Sequence, residues 1–433
     1  MMNYPQALRY LNSFLDLEKL SRFPKNSFFN LKRMEHLLKM SGHPEKKFFP
    51  ILVAGTTGKG STGFFLESIL KENGIRTGYY HSPHVEDPRE RIRIRGEMTA
   101  PALWEEGLSE IRRLLRKAPL PGELGVLTYF EILTFLAIWA FAKKNITVGI
   151  FEIGLGGRLD ATNILKAPLV ILTPIHLDHE AFLGSTIAKI AGEKAAIIKP
   201  HGHTVIGKQF PEAIQVIRRA VKRSCGSLWQ AKPVSGIPLG LAGDFQRGNA
   251  GTALKAAEVL KRNFHFSINS ECSQKGLELG GWKGRMESFQ QGGWRFILDG
   301  AHNPLSVKAV VAALRTGTRF GFLASRVPRN ESRVPWLVFG SMMDKNSHEM
   351  LKVLSRFFPK VILTGIAGNR AKPVAMLIHE AKGLFKCVLT AQNVEEAFYL
   401  FKKASSRGST AVVTGSFYLV GEARKLLKEG TRD

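Results

Sequence analysis

Short apolar, β-branched runs alternate along this chain with segments of helical periodicity. Runs that read as strands cover 48–55, 76–82, 147–154, 168–175 and 203–207, then 294–299, 336–340, 360–364, 386–390 and 410–415. Strands separated by helices imply βαβ units and parallel sheets. The pattern breaks at Gly280–Gly293, where Gly-Gly-Trp-Lys-Gly-Arg and Gln-Gln-Gly-Gly read as a hinge or linker. The expected fold is α/β, with a P-loop N-terminal domain over 1–289 built on a mainly parallel sheet. A smaller, Rossmann-like α/β domain is expected over 294–433. The most apolar stretch, Val126 to Ala142, contains Glu131 and falls short of the ~20 residues a membrane span needs, so a buried core helix is expected.

One strand leads straight into chemistry. The run from Phe48 breaks at Gly55 into Gly-Thr-Thr-Gly-Lys-Gly-Ser and passes into a helical pattern from Ser61 to Asn73. Strand, glycine-rich turn and helix in that order let backbone N–H groups approach phosphate while the helix N-terminus adds positive potential. Thr57, Gly58, Lys59, Gly60 and Ser61 form the expected phosphate loop, with Lys59 reaching the β/γ-phosphates and the Ser61 hydroxyl facing Mg²⁺. The spacing departs from the usual form, because two residues separate Gly55 from Gly58 and Gly60 separates Lys59 from Ser61.

Composition narrows the classes. The chain has 433 residues, more than one core normally holds, with 44% hydrophobic and 23% charged residues, as in ordinary globular proteins. Cys225, Cys272 and Cys387 are far apart and match no metal or redox spacing, which suits free thiols in a reducing cytoplasm. Met1 to Leu20 mixes polar and charged residues with apolar ones and does not read as a signal peptide. Lys and Arg number 62 against 36 Asp and Glu, a net charge of +26. Clusters at Arg89–Arg95, Arg112–Lys117 and Arg218–Arg223 lack the interleaved aromatics of a nucleic-acid platform. The charge is read as a solvated basic surface that favours polyanionic substrates.

Ligands of open α/β sheets lie beyond the carboxyl ends of the strands. Strand 76–82 ends in His81-Ser82-Pro83-His84, strand 147–154 carries Glu152 before Gly-Leu-Gly-Gly-Arg-Leu-Asp-Ala-Thr-Asn, and strand 168–175 leads to His176-Leu177-Asp178-His179. Ser82, Glu152 and His179 could thus meet at the phosphate loop as hydroxyl, carboxylate and imidazole ligands. Mg²⁺ prefers oxygen, so the imidazole points to a second metal position.

With these pieces in place the chain resembles the dihydrofolate synthase/folylpolyglutamate synthase family of the Mur ligase superfamily. The matching segments run in family order: Ala54–Ser61, Ser82-Pro83-His84, Glu90–Ile92, Thr128–Glu131, Glu152–Asn163, Leu177–His179 and Glu193–Lys199. They continue with Gly243–Gln246, Asn249, Gly284-Arg285, Asp299–Pro304, Asp344-Lys345 and Gly415–Tyr418. Thr57 departs from the family, which usually has Asn there; altered nucleotide affinity is expected, not loss of activity.

The resemblance implies an ATP-dependent ligase of folate biosynthesis and one-carbon metabolism that forms an acyl phosphate, then an amide with L-glutamate, releasing ADP and phosphate. It implies Lys59, Lys194 and His179 as catalytic residues and one or two Mg²⁺ ions. Ser61, Ser82 and Glu152 resemble ligands of the first ion, and Glu152, His179 and Lys194 those of the second. An ammonium would repel Mg²⁺; the family's matching lysine is carbamylated, which makes it an anionic oxygen ligand. Asn249, Arg285, Asp299 and His302 resemble ATP-binding residues, so ATP is expected between the domains. Thr128, Phe130, Glu131, Leu159, Asp160 and Ala161 match segments lining the pteroate pocket. Taken as core, Phe130 and Glu131 would instead be helix interior with one internal ion pair.

The substrates implied are ATP, L-glutamate and dihydropteroate or a reduced folate, with both activities expected. A cytoplasmic monomer is expected, without membrane or specific nucleic acid. A peptidoglycan-precursor ligase of the same superfamily would carry a UDP-sugar-binding domain before the phosphate loop, and only 54 residues precede Gly55. A nucleotide-regulated nucleic-acid-binding protein would explain the charge but not the grouping of Ser82, Glu152 and Lys194.

Overall fold

The computed structural model describes residues 1–17, 29–316 and 335–429. Its chain forms two units. The first takes Met1–His84, Pro88–Leu239 and Arg247–Leu279; the second takes Val85–Asp87, Gly240–Gln246 and Gly280–Asp433.

Among the described residues, eight strands build the sheet of the first unit: β1 Phe49–Ala54, β2 Thr77–Tyr80, β3 Ile92–Ile94, β4 Glu97–Met98, β5 Val148–Glu152, β6 Leu169–Leu172, β7 His203–Ile206 and β8 Ser227–Gln230. Their order is β4-β3-β2-β5-β1-β6-β7-β8. β2, β5, β1, β6, β7 and β8 run parallel; β3 and β4 are antiparallel additions at one edge. Helices cover a parallel sheet on both faces, so its central strands are apolar throughout. Ile51, Leu52, Val53 and Ala54 of β1 and all of β5 are accordingly buried.

Helix Tyr129–Lys143 explains the most apolar stretch of the chain. Twelve of its fifteen residues are buried, so it lies inside the core and not on a surface. Among the described residues no helix is long and apolar enough to cross a membrane.

The second unit holds β9 Glu287–Gln291, β10 Trp294–Leu298, β11 Trp336–Phe339, β12 Lys360–Thr364, β13 Cys387–Ala391 and β14 Thr410–Thr414. They are ordered β13-β12-β11-β14-β10-β9, all parallel but β9.

All ten expected strands are present. Four more are not in the sequence reading: β4, β8 and β9 at the sheet edges and β3 beside β4 are short, polar or half-exposed strands without an apolar run. The last changes the picture of the hinge. The stretch read as a linker up to 293, with the first domain reaching 289, contains β9 and pairs with β10 across Gln291↔Trp294. Gly292 and Gly293, at φ 58° and 88°, close a two-residue hairpin of the kind that needs positive φ at both positions. Residues from Gly280 onward group with the second unit, whose sheet includes this hairpin.

Candidate active site

The phosphate loop leaves the carboxyl end of β1, the strand flanked by β5 and β6. Two glycines make its path possible. Gly55 has φ 150°, and a Cβ there would collide with Thr173 Oγ1. Gly58 has φ 83°, and a Cβ would strike Asn249 Oδ1, so the Asn249 side chain lies over the loop. The amides of Thr56 and Thr57 donate to Pro174 O at 2.9 and 3.3 Å. The Thr56 hydroxyl donates to His176 O at 3.1 Å and accepts from His176 N at 3.2 Å. The loop is thereby tied to the segment that follows β6. Helix Lys59–Glu72 then begins, with Gly60 and Ser61 buried in its first turn. A helix start of this kind offers N–H groups and positive potential to an anion.

Substituting Gly58 with alanine imposes left-handed backbone strain and pushes Asn249 aside. Nucleotide affinity should fall about tenfold, a cost near 1.4 kcal/mol, in a fluorescence titration with ADP.

Sheet order places the carboxyl ends of β2, β5, β1 and β6 side by side. Glu152 closes β5 opposite Val53 and is buried. Its Oε1 lies 4.0 Å from Lys59 Nζ, which also donates to Gly55 O at 3.2 Å. The Tyr79 hydroxyl lies 3.3 Å from Glu152 Oε2 and 3.2 Å from Gly60 O. Burial, then the charge of Glu152, hold that phenol well above its ordinary pKa, so it stays a donor. Ser82 lies two residues beyond β2, and His179 stands beyond β6 at φ 51°, its amide donating to Asp178 Oδ1 at 2.9 Å.

Lys194 lies near the end of helix Ile187–Ala195, buried, with Nζ 3.5 Å from Gly156 O. No carboxylate pairs with it among the described residues. Burial, and next the positive charge of Lys59, lower its pKa from 10.5 to about 7, against the pull of Asp178, Asp160 and Glu193. A large share of this amine is therefore neutral near pH 7, the form that can add CO₂.

No group of three or more His, Cys, Asp or Glu that could hold a metal gathers among the described residues. A closed cage is not what Mg²⁺ needs: it takes one or two protein carboxylates and fills its shell with phosphate oxygens and water. The buried Glu152 carboxylate beside the phosphate loop is a donor of that kind.

His176 escaped the sequence reading. It is buried, its Nδ1 lies 3.1 Å from Leu177 O, and its Nε2 is buried with no hydrogen-bond partner among the described residues. Burial lowers its pKa, with Lys194 and Lys59 among the charges that act on it. The signal in the sequence is the pair of histidines in His-Leu-Asp-His.

Among the residues expected at the pteroate pocket, the structure shows which polar groups are already engaged within the chain. Phe130 is half-buried, with its ring against Gly154 and 5.8 Å from that of Tyr80. Leu159 is exposed and Ala161 buried. Thr128 caps helix Tyr129–Lys143, accepting from Glu131 N at 3.2 Å. Both Glu131 oxygens are taken: Oε1 by Arg33 Nε at 2.8 Å, Oε2 by the Thr128 amide at 2.8 Å and hydroxyl at 2.9 Å. Asp160 is likewise a loop cap, holding Thr162 N and Oγ1 at 3.0 and 2.6 Å and Leu155 N at 2.9 Å. The carboxylates of Glu131 and Asp160 shape the segments; they are committed internally.

In the second unit Asp299 follows β10 and accepts from Met286 N at 3.0 Å and Ala301 N at 2.9 Å. Burial raises its pKa, opposed first by the neighbouring Arg285 charge. The Arg285 guanidinium lies over the Phe417 ring at 4.6 Å, with Nε buried and without a hydrogen-bond partner among the described residues. His302 Nδ1 lies 2.8 Å from Gly300 O and its ring 5.7 Å from that of Phe417. Asn249 belongs to the first unit, and these three to the second.

A parallel sheet with a lysine-bearing phosphate loop and a buried carboxylate on the adjoining strand is a frame for nucleotide use, and the relatives that follow make the protein an ATP-dependent ligase. The family described as Mur ligase, glutamate ligase domain matches residues 284–417. The dihydrofolate synthase/folylpolyglutamate synthase of Bacillus subtilis (strain 168) is 32% identical over 92% of this chain and 95% of its own length. The Lacticaseibacillus casei folylpolyglutamate synthase is 28% identical over 99% and 100%. Mycobacterium tuberculosis folylpolyglutamate synthase complexed with ADP superposes at a TM-score of 0.83, with 27% identity and 98% of each chain covered. E. coli FolC in complex with DHPP and ADP gives 0.82, with 25% identity and 100% of each chain covered. The chain belongs to the dihydrofolate synthase/folylpolyglutamate synthase family.

Proposed function

We propose that this protein uses ATP to join L-glutamate to dihydropteroate and to reduced folates through an acyl phosphate. The observation that carries the reading is the Lys59 ammonium 4.0 Å from the buried Glu152 carboxylate, where β1 and β5 end side by side. A free carboxylate is a poor acyl donor because its leaving group would be oxide. In the proposed reaction a substrate carboxylate oxygen attacks the γ-phosphorus and ADP departs. The glutamate amine then attacks the acyl carbon, giving up a proton as the amide forms and phosphate leaves.

Most of the catalysis is positioning and charge neutralisation. Thr57, Gly58, Lys59, Gly60 and Ser61 cradle the phosphates, and Lys59 neutralises charge on the transferring group. Ser61, Ser82 and Glu152 would hold one Mg²⁺, and Glu152, His179 and Lys194 a second. Bound there, Mg²⁺ would supply positive charge to the phosphoryl oxygens. Lys194 would act as a carbamate, its neutral amine forming an N–C bond to CO₂ with loss of a proton. Asn249, Arg285, Asp299 and His302 are proposed nucleotide contacts, each open to test by its own substitution. Thr128, Phe130, Leu159 and Ala161 are proposed to line the pteroate site, with Glu131 and Asp160 holding those segments in shape. The reading takes the enzyme as a cytoplasmic monomer acting on small molecules, in keeping with three free cysteines.

The test assays dihydropteroate and tetrahydrofolate side by side with ATP, Mg²⁺ and labelled glutamate. Label should enter both, with phosphate release dependent on glutamate. Labelling of tetrahydrofolate alone would remove the dihydropteroate half. Phosphate release indifferent to glutamate and pteroate would overturn the whole.

A further inference from the structure

Three residues between the first unit's strands belong to the other unit. Val85–Asp87 group with the second unit, while His84 before them and Pro88 after them group with the first. Three features of helix Phe417–Glu429 hold this segment. Val85 packs against an apolar cluster that includes Leu419, Val420 and Ala423. Gly421 lacks a side chain where a Cβ would run into the Val85 carbonyl. The Arg424 guanidinium donates through Nη1 to Glu86 Oε2, and Lys428 and Lys283 approach the same carboxylate at 2.9 and 3.4 Å.

Arg424 also grips a second segment. Its Nε and Nη2 donate to the Glu287 carboxylate at 2.9–3.0 Å, and Glu287 Oε2 accepts from Gly284 N at 3.1 Å. One guanidinium thus anchors the residues just after Ser82-Pro83-His84 and those flanking Arg285. Side-chain exposure of 10% for Arg424 and 12% for Glu86 makes this more than a solvated surface pair. A residue advances the chain by up to ~3.5 Å, so a turn whose far end is free can carry a ligand several ångströms out of place. Glu86 is four residues from Ser82. From the other side, Arg91 Nε donates to His84 Nδ1 at 2.8 Å.

We propose that Gly421 and Arg424 are positioning residues: by clamping Val85–Asp87 they set the Ser82–His84 turn, so that affinity for the metal–nucleotide depends on helix Phe417–Glu429. The inference rests on the reading of Ser82 as a metal ligand, and the experiment separates the two. Hydrogen exchange of the peptide spanning 81–91 reads the clamp, and Mn²⁺ binding with ADP, followed by electron paramagnetic resonance, reads the metal.

In Gly421→Ala and Arg424→Met, amides of 81–91 should exchange about tenfold faster while β1 amides hold their rates. The Mn²⁺ dissociation constant should rise about tenfold, with ADP binding in EDTA unchanged, a split that general loss of structure would not produce. Glu86→Gln keeps the side-chain volume and one acceptor oxygen, and carries the same test if Arg424→Met does not fold. Unchanged exchange over 81–91 in the folded variants overturns the clamp. Unchanged Mn²⁺ affinity in Ser82→Ala overturns the ligand reading instead, whatever the clamp variants do.

Discussion

Lys194→Ala should cost roughly 10³-fold or more in glutamate-dependent turnover while leaving nucleotide binding nearly intact. The amine is buried without a carboxylate partner among the described residues, and its pKa is lowered to about 7 by burial and by Lys59. Keeping a lysine so placed costs stability, so a chemical task is the natural account of it. As a carbamate it would present anionic oxygen where an ammonium would repel a cation. Short carboxylic acids such as acetate, added to Lys194→Ala, should restore part of the rate by supplying that oxygen. Full turnover in the variant would remove the carbamate from the mechanism.

The same side chain sets a pH dependence whose sign follows from its shift. The folded-state pKa of about 7 lies below the ordinary 10.5, so between these values the unfolded chain binds more protons. Stability therefore rises with pH across that window, and the penalty is fully present below about 7. Lys194→Met removes the titrating group. In buffer stripped of CO₂ it should melt higher than the parent at pH 7, and the difference should shrink as pH approaches 10. A lower melting point at pH 7 would contradict the account.

Lys59→Met is expected to have the second large effect, a loss of about 10²–10³ in kcat. Nζ stands 3.2 Å from Gly55 O and 4.0 Å from Glu152 Oε1, so the ammonium is held at the phosphate loop. In the proposed mechanism it neutralises charge that builds on the transferring phosphoryl group, which methionine, of similar reach, would not. Arginine should not rescue, because a planar fork does not replace a compact charge in a turn closed by Gly58 and Gly60. Steady-state kinetics with saturating pteroate and glutamate measure the loss; kcat unchanged with only a raised KM for ATP would place Lys59 in binding alone.

How much of this was legible in the sequence depends on the range of the interactions. The central strands announce themselves because a parallel strand buried on both faces is a continuous apolar run, as Ile51–Ala54 is. Glycine-rich chemistry beside such a run is local too, so the phosphate loop and Glu152 could be placed at strand ends. What failed to show was polar or distant. The strands β3, β4, β8 and β9, at or next to the sheet edges, carry few buried side chains. Glu131 takes its ion-pair partner from Arg33, 98 residues earlier, a separation no local pattern reveals. Asp160, expected at the pteroate pocket from resemblance, has its oxygens engaged by Leu155 and Thr162, which no local pattern shows. The hairpin at Gly292-Gly293 was visible in principle, since paired glycines between short strands signal a tight turn. It was taken for a hinge because Glu287–Gln291 is too polar to look like a strand.

The most direct measurement of the account follows oxygen. With the carboxylate of the pteroate labelled with ¹⁸O, activation through an acyl phosphate must leave one labelled oxygen on each phosphate released as the amide forms. Mass spectrometry of the phosphate should find that single label in step with product. Unlabelled phosphate accompanying amide formation would contradict phosphorylation of the carboxylate at the ends of β1, β5 and β6.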